Sequence, residues 1–228
     1  MRFAYLLLFA CAVPVTQEAA YLDLVTKPVQ PRLTEPASVS ATGGGAGAGD
    51  GAETHPPPQP LQVTVSNVEG AENKIGENLI YEVKILNTGN GTVKIPWVPS
   101  PRDIEPAKPG PYEYWMASLA PRLVNSSGQV AALEAVVLYG SDAPSTMLEL
   151  APGHWVRVRA KTQLNLRGPG GLASFLSAGQ GSVRVGAVWS LYRVSFAQRN
   201  GQFHETFIPN EQENRSTNTV PIHIVLNN

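Results

Sequence analysis

Few residues in this chain of 228 have the types and spacing that acid–base chemistry or metal binding requires. Its four histidines are His55, His154, His204 and His223. No two of them have the spacing of a metal-binding pair, and His204 followed by Glu205 lacks the second histidine of a zinc-protease helix. A nucleophile elbow and a phosphate-binding loop are also missing from the sequence. We therefore predict no catalytic residues, no metal and no cofactor, and expect a protein that binds rather than an enzyme.

The single cysteine, Cys11, closes a short apolar run, residues 3–10, that follows Met1-Arg2. This arrangement is typical of an export signal and is too short to span a bilayer. The run ends in LFAC, which resembles the lipobox of bacterial lipoproteins and implies a lipid anchor on Cys11. Other interpretations are signal-peptidase cleavage after Ala12, which gives a soluble exported protein, or an incidental apolar cysteine. The first two place the mature chain in the cell envelope or outside the cell, without an internal disulfide.

Aromatic residues accompany a proline-rich segment, residues 96–111, that we predict to be a long loop. They are Trp97, Tyr112, Tyr114 and Trp115. Exposed aromatic rings on a loop suit recognition of a sugar or a protein, because rigid rings provide contact area at low entropy cost. In the alternative interpretation, the loop folds back and its rings lie in the core.

Three basic residues share one side of a predicted strand: Arg157, Arg159 and Lys161. They are candidates for binding an anionic partner, although outward charges also keep a strand soluble and unpaired. The chain as a whole has 17 Lys+Arg against 18 Asp+Glu and a net charge of -1. That balance argues against nucleic acid as a partner.

The clearest strands are two alternating segments, residues 79–85 and 93–97, that are joined by a turn. Asn90-Gly91 in this turn tolerates positive φ at both positions. The turn therefore closes a two-residue hairpin or carries the chain across to a second sheet. The sequence leaves both open.

Alternation of apolar and polar residues predicts further strands along the chain. They cover residues 61–65, 119–124, 129–137, 156–164, 183–196, 203–208 and 220–226. Residues 131–138 also fit a short helix. The apolar parity changes after Leu191, which indicates a bulge or bend, and Pro221 predicts an edge position for the last strand. Residues 167–181 form a second irregular insert.

Many short strands without a long helix predict an all-β fold in which antiparallel sheets form a sandwich. Three stretches, NTGNG, LAPG and NTVPIHIVL, resemble segments of immunoglobulin-like domains in secreted bacterial proteins. The resemblance covers residues 61–228 and implies an antiparallel immunoglobulin-like β-sandwich, here with two irregular inserts.

The predicted organisation has three parts. Residues 1–12 are a signal peptide or lipoprotein signal, residues 13–60 a disordered Pro/Gly-rich tether, and residues 61–228 the sandwich. The tether is assigned because prolines flank a glycine run, residues 43–49, that cannot bury enough apolar surface to fold. The prediction that tests this division is that residues 61–228 fold alone.

From these features we expect an exported, membrane-tethered, non-catalytic binding or scaffolding module of a bacterial cell envelope, with a protein or glycan partner. One alternative is a secreted protease inhibitor that uses the proline-stiffened residues 99–111, since stiffening lowers the entropy lost on binding. Another is an accessory domain for a hydrolase on another chain.

Overall fold

The computed structural model describes residues 16–26, 60–70, 72–104, 112–165, 175–176, 182–199 and 202–225. Strands make up most of these residues, so the all-β class predicted from the sequence is confirmed. The strands are β1 (Gln17–Asp23), β2 (Leu61–Val68), β3 (Glu72–Lys74), β4 (Asn78–Asn87), β5 (Val93–Pro96), β6 (Tyr112–Val124), β7 (Val130–Ala132), β8 (Val136–Gly140), β9 (Met147–Leu150), β10 (His154–Gln163), β11 (Ser182–Arg199), β12 (Gln202–Arg215) and β13 (Val220–Val225). Two short 3-10 helices span Pro101–Ile104 and Pro144–Thr146.

The first sheet contains four strands in the order β1-β10-β4-β2. β4 and β10 form its central antiparallel pair, with Val83 opposite Val158. Alternate residues of both strands are buried, as a period of two requires when one face of a sheet covers a core. β2 pairs antiparallel with the far side of β4, and β1 pairs in parallel with β10.

The second sheet is built on β11, an 18-residue strand. β6 pairs antiparallel along one side of β11, from Tyr112 opposite Phe196 to Val124 opposite Arg184. β13 and β12 share the other side, each pairing with one part of β11. β3 lies beside β13 in parallel, and β7 and β8 pair with β6.

A bulge was predicted where the apolar parity changes, after Leu191. The β11–β12 register shifts at this point, between Ser190 and Tyr192, whereas the β11–β6 register continues without a shift. The two faces of β11 therefore keep their orientation along the strand. Beyond Leu191 the opposite face of the strand becomes the buried one, because Tyr192 and Val194 belong to a separate apolar cluster on that face.

The turn after β4 carries the chain to a third, two-stranded sheet, in which β5 pairs with β9. The hairpin alternative is therefore wrong. Asn87, which is buried at the end of β4, organises the crossing. Its side-chain amide donates to the carbonyls of Gly91 at 2.7 Å and Leu150 at 2.8 Å, and its oxygen accepts from the N–H of Gly89 at 2.9 Å.

The first two sheets face each other across a shared core of apolar side chains. Tyr81 of β4 lies in this core and donates its hydroxyl hydrogen to the carbonyl of Leu119 in β6, at 3.4 Å. Burial raises the pKa of Tyr81, so the hydroxyl remains a donor. The sequence predicted core positions for Trp189, Val156 and Val158, and all three are buried, with 0% exposure.

Two strand pairs are parallel, β1 with β10 and β3 with β13, so the sheets are mixed and not antiparallel as predicted. Both exceptions are edge strands. Each pairs with a strand distant in sequence, and a tight turn cannot join parallel neighbours. The periodicity of a segment reveals that it is a strand but does not reveal such distant pairings.

The prediction of a disordered tether from residue 13 onward is wrong at its N-terminal end. Gln17–Asp23 forms β1, and Leu24 directly after it is 1% exposed and belongs to the main core. This segment alternates, with Ala20, Leu22 and Leu24 facing inward, so it can bury enough surface to dock. The remaining tether, residues 27–59, and the predicted signal, residues 1–12, lie outside the described residues.

Three smaller predictions have mixed outcomes. The single strand predicted over residues 129–137 is divided into β7 and β8, and the helical alternative for residues 131–138 is wrong. β13 lies between β3 and β11, so the predicted edge position is wrong as well. β3 pairs only with residues from His223 onward, however, which leaves Pro221 beyond the end of that ladder. In the second insert, Leu176 is described and buried in a second core cluster.

Candidate functional site

The aromatic residues predicted to lie on a loop belong mostly to a strand. Tyr112, Tyr114 and Trp115 are in β6, and the loop assignment for them is wrong. Trp97 follows β5 and is half-buried against the main core; its backbone N–H donates to the carbonyl of Tyr139 at 3.1 Å. Strand pairing with β11 fixes the β6 rings, which proline content alone could not indicate.

The strand divides these rings between two faces of the second sheet. Tyr112 and Tyr114 point to the face away from the main core, where they join an aromatic cluster. The members of this cluster are Val98, Ile104, Tyr112, Tyr114, Met116, Tyr139, Tyr192, Val194, Phe196 and Phe207. The ring centroids of Tyr112 and Phe196 are 5.0 Å apart, and those of Tyr114 and Tyr139 are 6.2 Å apart. Such distances are typical of packed rings.

The start of the proline-rich segment covers this cluster. The 3-10 helix Pro101–Ile104 buries Ile104 against it. The first part of the segment predicted to form an inhibitory loop is therefore packed onto the second sheet. Residues 105–111, the rest of that loop, lie outside the described residues.

Tyr114 combines burial with a charged partner. Its ring is 6% exposed, and its hydroxyl donates to a carboxylate oxygen of Glu205 at 3.2 Å. Burial raises the pKa of Tyr114, and the nearby negative charge of Glu205 raises it further. The hydroxyl therefore stays protonated as a structural donor and is not available as a base.

Glu113 and Trp115 point to the opposite face, at the rim of the space between the two main sheets. Glu113 forms an ion pair with Arg193 of β11, and the guanidinium of Arg193 lies 5.9 Å from the centroid of the Trp115 ring. These side chains continue the inward-facing row of β6 beyond its apolar members. The apolar interior thus ends in an ion pair at this rim.

Two open grooves meet at this rim, with volumes of about 190 and 240 Å³. Glu113 and Asp142 line both, and we name the pair the rim groove. The first groove is lined by Glu113, Tyr114, Trp115, Asp142 and Arg193. The second is lined by Asp103, Ile104, Tyr112, Glu113, Ser141, Asp142 and Ala143. Three of the predicted binding residues therefore contribute to the rim groove, Tyr114 and Trp115 to the first groove and Tyr112 to the second.

The polar residues of the rim groove were not identified from the sequence. Glu113, Asp142 and Arg193 come from three segments that are distant along the chain and meet only because β6 pairs with β11 and β8. One signal was available for Glu113, which precedes Trp115 by two positions and so shares its strand face.

The basic stripe of β10 lies on the outer face of the first sheet. Arg157 pairs with Glu18 of β1 at 3.1 Å and with Glu82 of β4 at 3.7 Å. Its guanidinium also lies 4.8 Å from the ring centroid of Tyr21. The carboxylates that Arg157 meets therefore belong to the chain itself.

Arg159 is the more fully paired member of the stripe. Its guanidinium contacts Glu69 at 2.6 Å and Asp23 at 3.1 Å. The hydrogen bond to Glu69 raises the pKa of Arg159 and lowers that of Glu69. The pKa of Asp23 is lowered mainly by the backbone N–H of Val25 and also by Arg159. The last member of the stripe, Lys161, contacts a backbone carbonyl at 3.3 Å.

The residues considered for metal binding stay apart. His154 begins β10 and His223 lies in β13, in different sheets. In the part of the chain that the structure describes, no group of three His, Cys, Asp or Glu side chains could hold a metal ion. No helix among the described residues is both long and apolar enough to cross a membrane.

Comparisons with known proteins give little further information. No protein-family model and no curated protein matches the sequence. Among solved structures, the chain is similar to Spo0M, a sporulation control protein from Bacillus subtilis (13% identity, TM-score 0.30, 72% of this chain and 49% of that chain). It is also similar to the alkylpurine DNA glycosylase AlkC of Pseudomonas fluorescens (12%, 0.27, 72% and 30%).

A further similarity is to AvmM, which catalyses macrocyclization in alchivemycin A biosynthesis (7% identity, TM-score 0.29, 73% of this chain and 89% of that chain). The chain spans about half the length of Spo0M and about a third of AlkC. All these TM-scores are below 0.5, so the similarities identify neither the fold nor the function of the chain.

Proposed function

We propose that this protein is an exported immunoglobulin-like β-sandwich, anchored to a membrane of a bacterial cell envelope through Cys11, that binds a ligand in the rim groove without catalysing a reaction. The rim groove is the observation that supports this proposal most. Two sheets that face each other across one core support the sandwich. The LFAC motif supports the anchor.

The lining of the rim groove favours a glycan ligand. Sugar rings present C–H faces that pack on aromatic rings such as Trp115, and hydroxyl groups that donate to carboxylates. Asp103 and Asp142 are exposed acceptors beside these rings, while Arg193 holds Glu113 in place. The grooves are smaller than the pockets of roughly 300–1,000 Å³ that enclose whole ligands. They therefore suit part of an extended chain.

Catalysis has less support in the same groove. Its described lining contains neither a histidine nor a cysteine, and Tyr114 stays protonated because its pKa is raised. Glu113 is engaged by Arg193. This arrangement supports a role in which the groove binds and orients a glycan.

The direct test is an array of bacterial envelope glycans probed with the full chain carrying Cys11→Ser. We expect binding to a restricted set of glycans, weakened at least tenfold by Asp142→Asn, which removes an exposed carboxylate without touching the core. Trp115→Ala should also weaken binding. Trp155→Ala is the matched control, because Trp155 is a partly exposed tryptophan on the first sheet, over Lys84 at 4.3 Å.

A chain that binds no glycan, or whose binding is unchanged in Asp142→Asn and Trp115→Ala, would refute the glycan assignment. Inhibition of a protease panel by the same preparation would favour the inhibitor instead. That alternative has less support, because Ile104 within the proposed inhibitory segment is packed in the aromatic cluster.

The anchor has its own test. Cys11→Ser removes the thiol that must be acylated and leaves the apolar run nearly unchanged. Because acyl chains contribute about 0.8 kcal/mol per buried methylene, we expect the variant to leave the membrane fraction while still being exported. A variant that stays in the membrane pellet, or a wild-type protein found free with Val13 as its first residue, would show that the lipoprotein interpretation is wrong.

A further inference from the structure

The connection between β1 and β2 does not force β1 into its place. The two strands form opposite edges of the first sheet and run in the same direction, as their pairings with β10 and β4 require. The chain between them must cross three strand spacings, about 14 Å, and return about 25 Å along the sheet. Residues 27–59 are long enough to reach about 110 Å when extended. β1 is therefore held on β10 by the contacts that β1 itself makes.

The inward contacts of β1 are those of a bound peptide. Ala20 and Leu22 pack against the main core, and Leu24 is almost completely buried in it. The backbone N–H of Leu24 donates to the carbonyl of Arg159 at 2.8 Å. Main-chain hydrogen bonds along an edge, with pockets for alternate side chains, are the general features of recognition by strand addition.

The two arginines at the acceptor edge keep carboxylate partners when β1 leaves. Arg157 keeps Glu82 of β4 as a partner at 3.7 Å, and Arg159 keeps Glu69 at 2.6 Å. Departure of β1 therefore leaves neither arginine without a carboxylate, and a large cost of isolated buried charge does not arise. The two arginines then face outward beside an open edge, where they attract acidic side chains.

The edge also has room for more than β1 supplies. β1 is seven residues long, and its register shifts between Glu18 and Ala20. Its pairing stops at Arg159, and in the described part of the chain residues 160–163 of β10 pair with β4 only. A longer strand in regular register gains ladder hydrogen bonds that β1 does not make.

We propose that the free edge of β10 is a strand-acceptor site for a partner protein, that its ligand is an extended segment in which apolar and acidic side chains alternate, and that β1 is the intramolecular occupant that this segment displaces. This site is independent of the rim groove. A partner strand must compete with β1, which a connection of this length holds near the site at an effective concentration on the order of millimolar. A partner identical to β1 therefore displaces half of it only near that concentration, and a longer strand does so at a lower one.

The test uses a fluorescent peptide of residues 16–26 and the full chain with Cys11→Ser. In the first variant, Leu24→Asp weakens docking of the chain's own strand. In the second, Glu18→Lys and Asp23→Lys together reverse the outward charges without changing the core. We expect both variants to bind the wild-type peptide at least 100-fold more tightly than the parent chain does. A peptide that carries Asp23→Lys is the matched control and should bind weakly.

Two results would overturn the proposal. One is absence of peptide binding to the charge-reversed chain while its thermal transition shows that it is folded. The other is a concentration-dependent dimer of the parent chain that the peptide dissociates, because the occupant is then a second copy and not a partner protein. A disulfide that joins Ala20→Cys to Val156→Cys, residues paired in the ladder, should abolish peptide binding until it is reduced.

Discussion

Trp189 is the residue whose replacement tests the packing of the two sheets most directly. It is the largest fully buried side chain among the described residues and lies in the core that both sheets share. Replacement by alanine leaves a cavity in this core, and the loss for a buried tryptophan is about 3–5 kcal/mol. The indole N–H finds no acceptor among the described residues.

The unpaired N–H makes the phenylalanine variant informative. Leaving a buried donor unsatisfied costs about 1–3 kcal/mol, and Trp189→Phe removes that cost while it keeps most of the ring. The gain offsets part of the loss in packing. We therefore expect Trp189→Phe to destabilise the fold by less than about 1.5 kcal/mol and Trp189→Ala by at least twice as much.

Urea unfolding followed by circular dichroism measures both differences in the free energy of unfolding. Trp155→Phe, at the partly exposed tryptophan on the outer face, serves as the control and should stay within about 0.5 kcal/mol of wild type. Two results would refute the reasoning. A loss below about 1 kcal/mol for Trp189→Ala means that the ring is not in the core. Equal losses for the two Trp189 variants mean that the N–H is hydrogen-bonded.

Four further predictions concern β1 and the crossing to the third sheet. Leu24→Ala should lower the free energy of unfolding in urea by about 2–4 kcal/mol. Tyr21→Ala, at an exposed position, is the control and should lower it by less than about 1 kcal/mol. Equal values for the two variants would mean that β1 is not docked. For the same reason, residues 61–228 alone should melt at a lower temperature than the mature chain. The folded-state pKa values of Asp23 and Glu69 lie below their ordinary 3.8 and 4.5, so the stability they contribute is complete above those values and is lost as pH falls through the lower folded ones. Thermal unfolding between pH 7 and pH 3 should show this loss below about pH 4, and less of it in Asp23→Asn. Asn87→Ala removes the donor to the buried carbonyl of Leu150 and should cost about 1–3 kcal/mol in the same urea experiment. A loss below about 1 kcal/mol would mean that the crossing does not depend on Asn87.

Local pattern was sufficient for the strands that build the core. In β10, apolar and polar residues alternate from Val156 to Lys161, and the burial follows that alternation residue by residue. Trp189 fell on the apolar parity of β11 for the same reason. Where one face of a strand covers a core, every second residue is apolar, so the buried positions can be predicted from the sequence.

The local alternation of apolar and polar residues could not predict which distant segments pair. β1 carries an alternating pattern, but its neighbours are a predicted signal and a proline-rich stretch, which masked it. The rim groove depends on where β6 meets β8 and β11, so no contiguous motif encodes Glu113, Asp142 and Arg193 as a group. The parity change after Leu191 indicated a bulge but not the aromatic cluster that buries the other face.

Docking of β1 changes what the glycine- and proline-rich segment can do for a chain anchored at the membrane. Cys11 lies six positions before Gln17, so an acylated Cys11 holds the first sheet within about 20 Å of the bilayer. β1 and β2 are both docked in the first sheet, so the distance of that sheet from the anchor is set by residues 11–17 and not by the length of residues 27–59. Cleavage of the chain between β1 and β2 would leave the folded body attached to its anchor only by the contacts of β1. A covalent attachment would thereby become a reversible one, whose lifetime at the membrane surface is the dissociation time of a seven-residue strand.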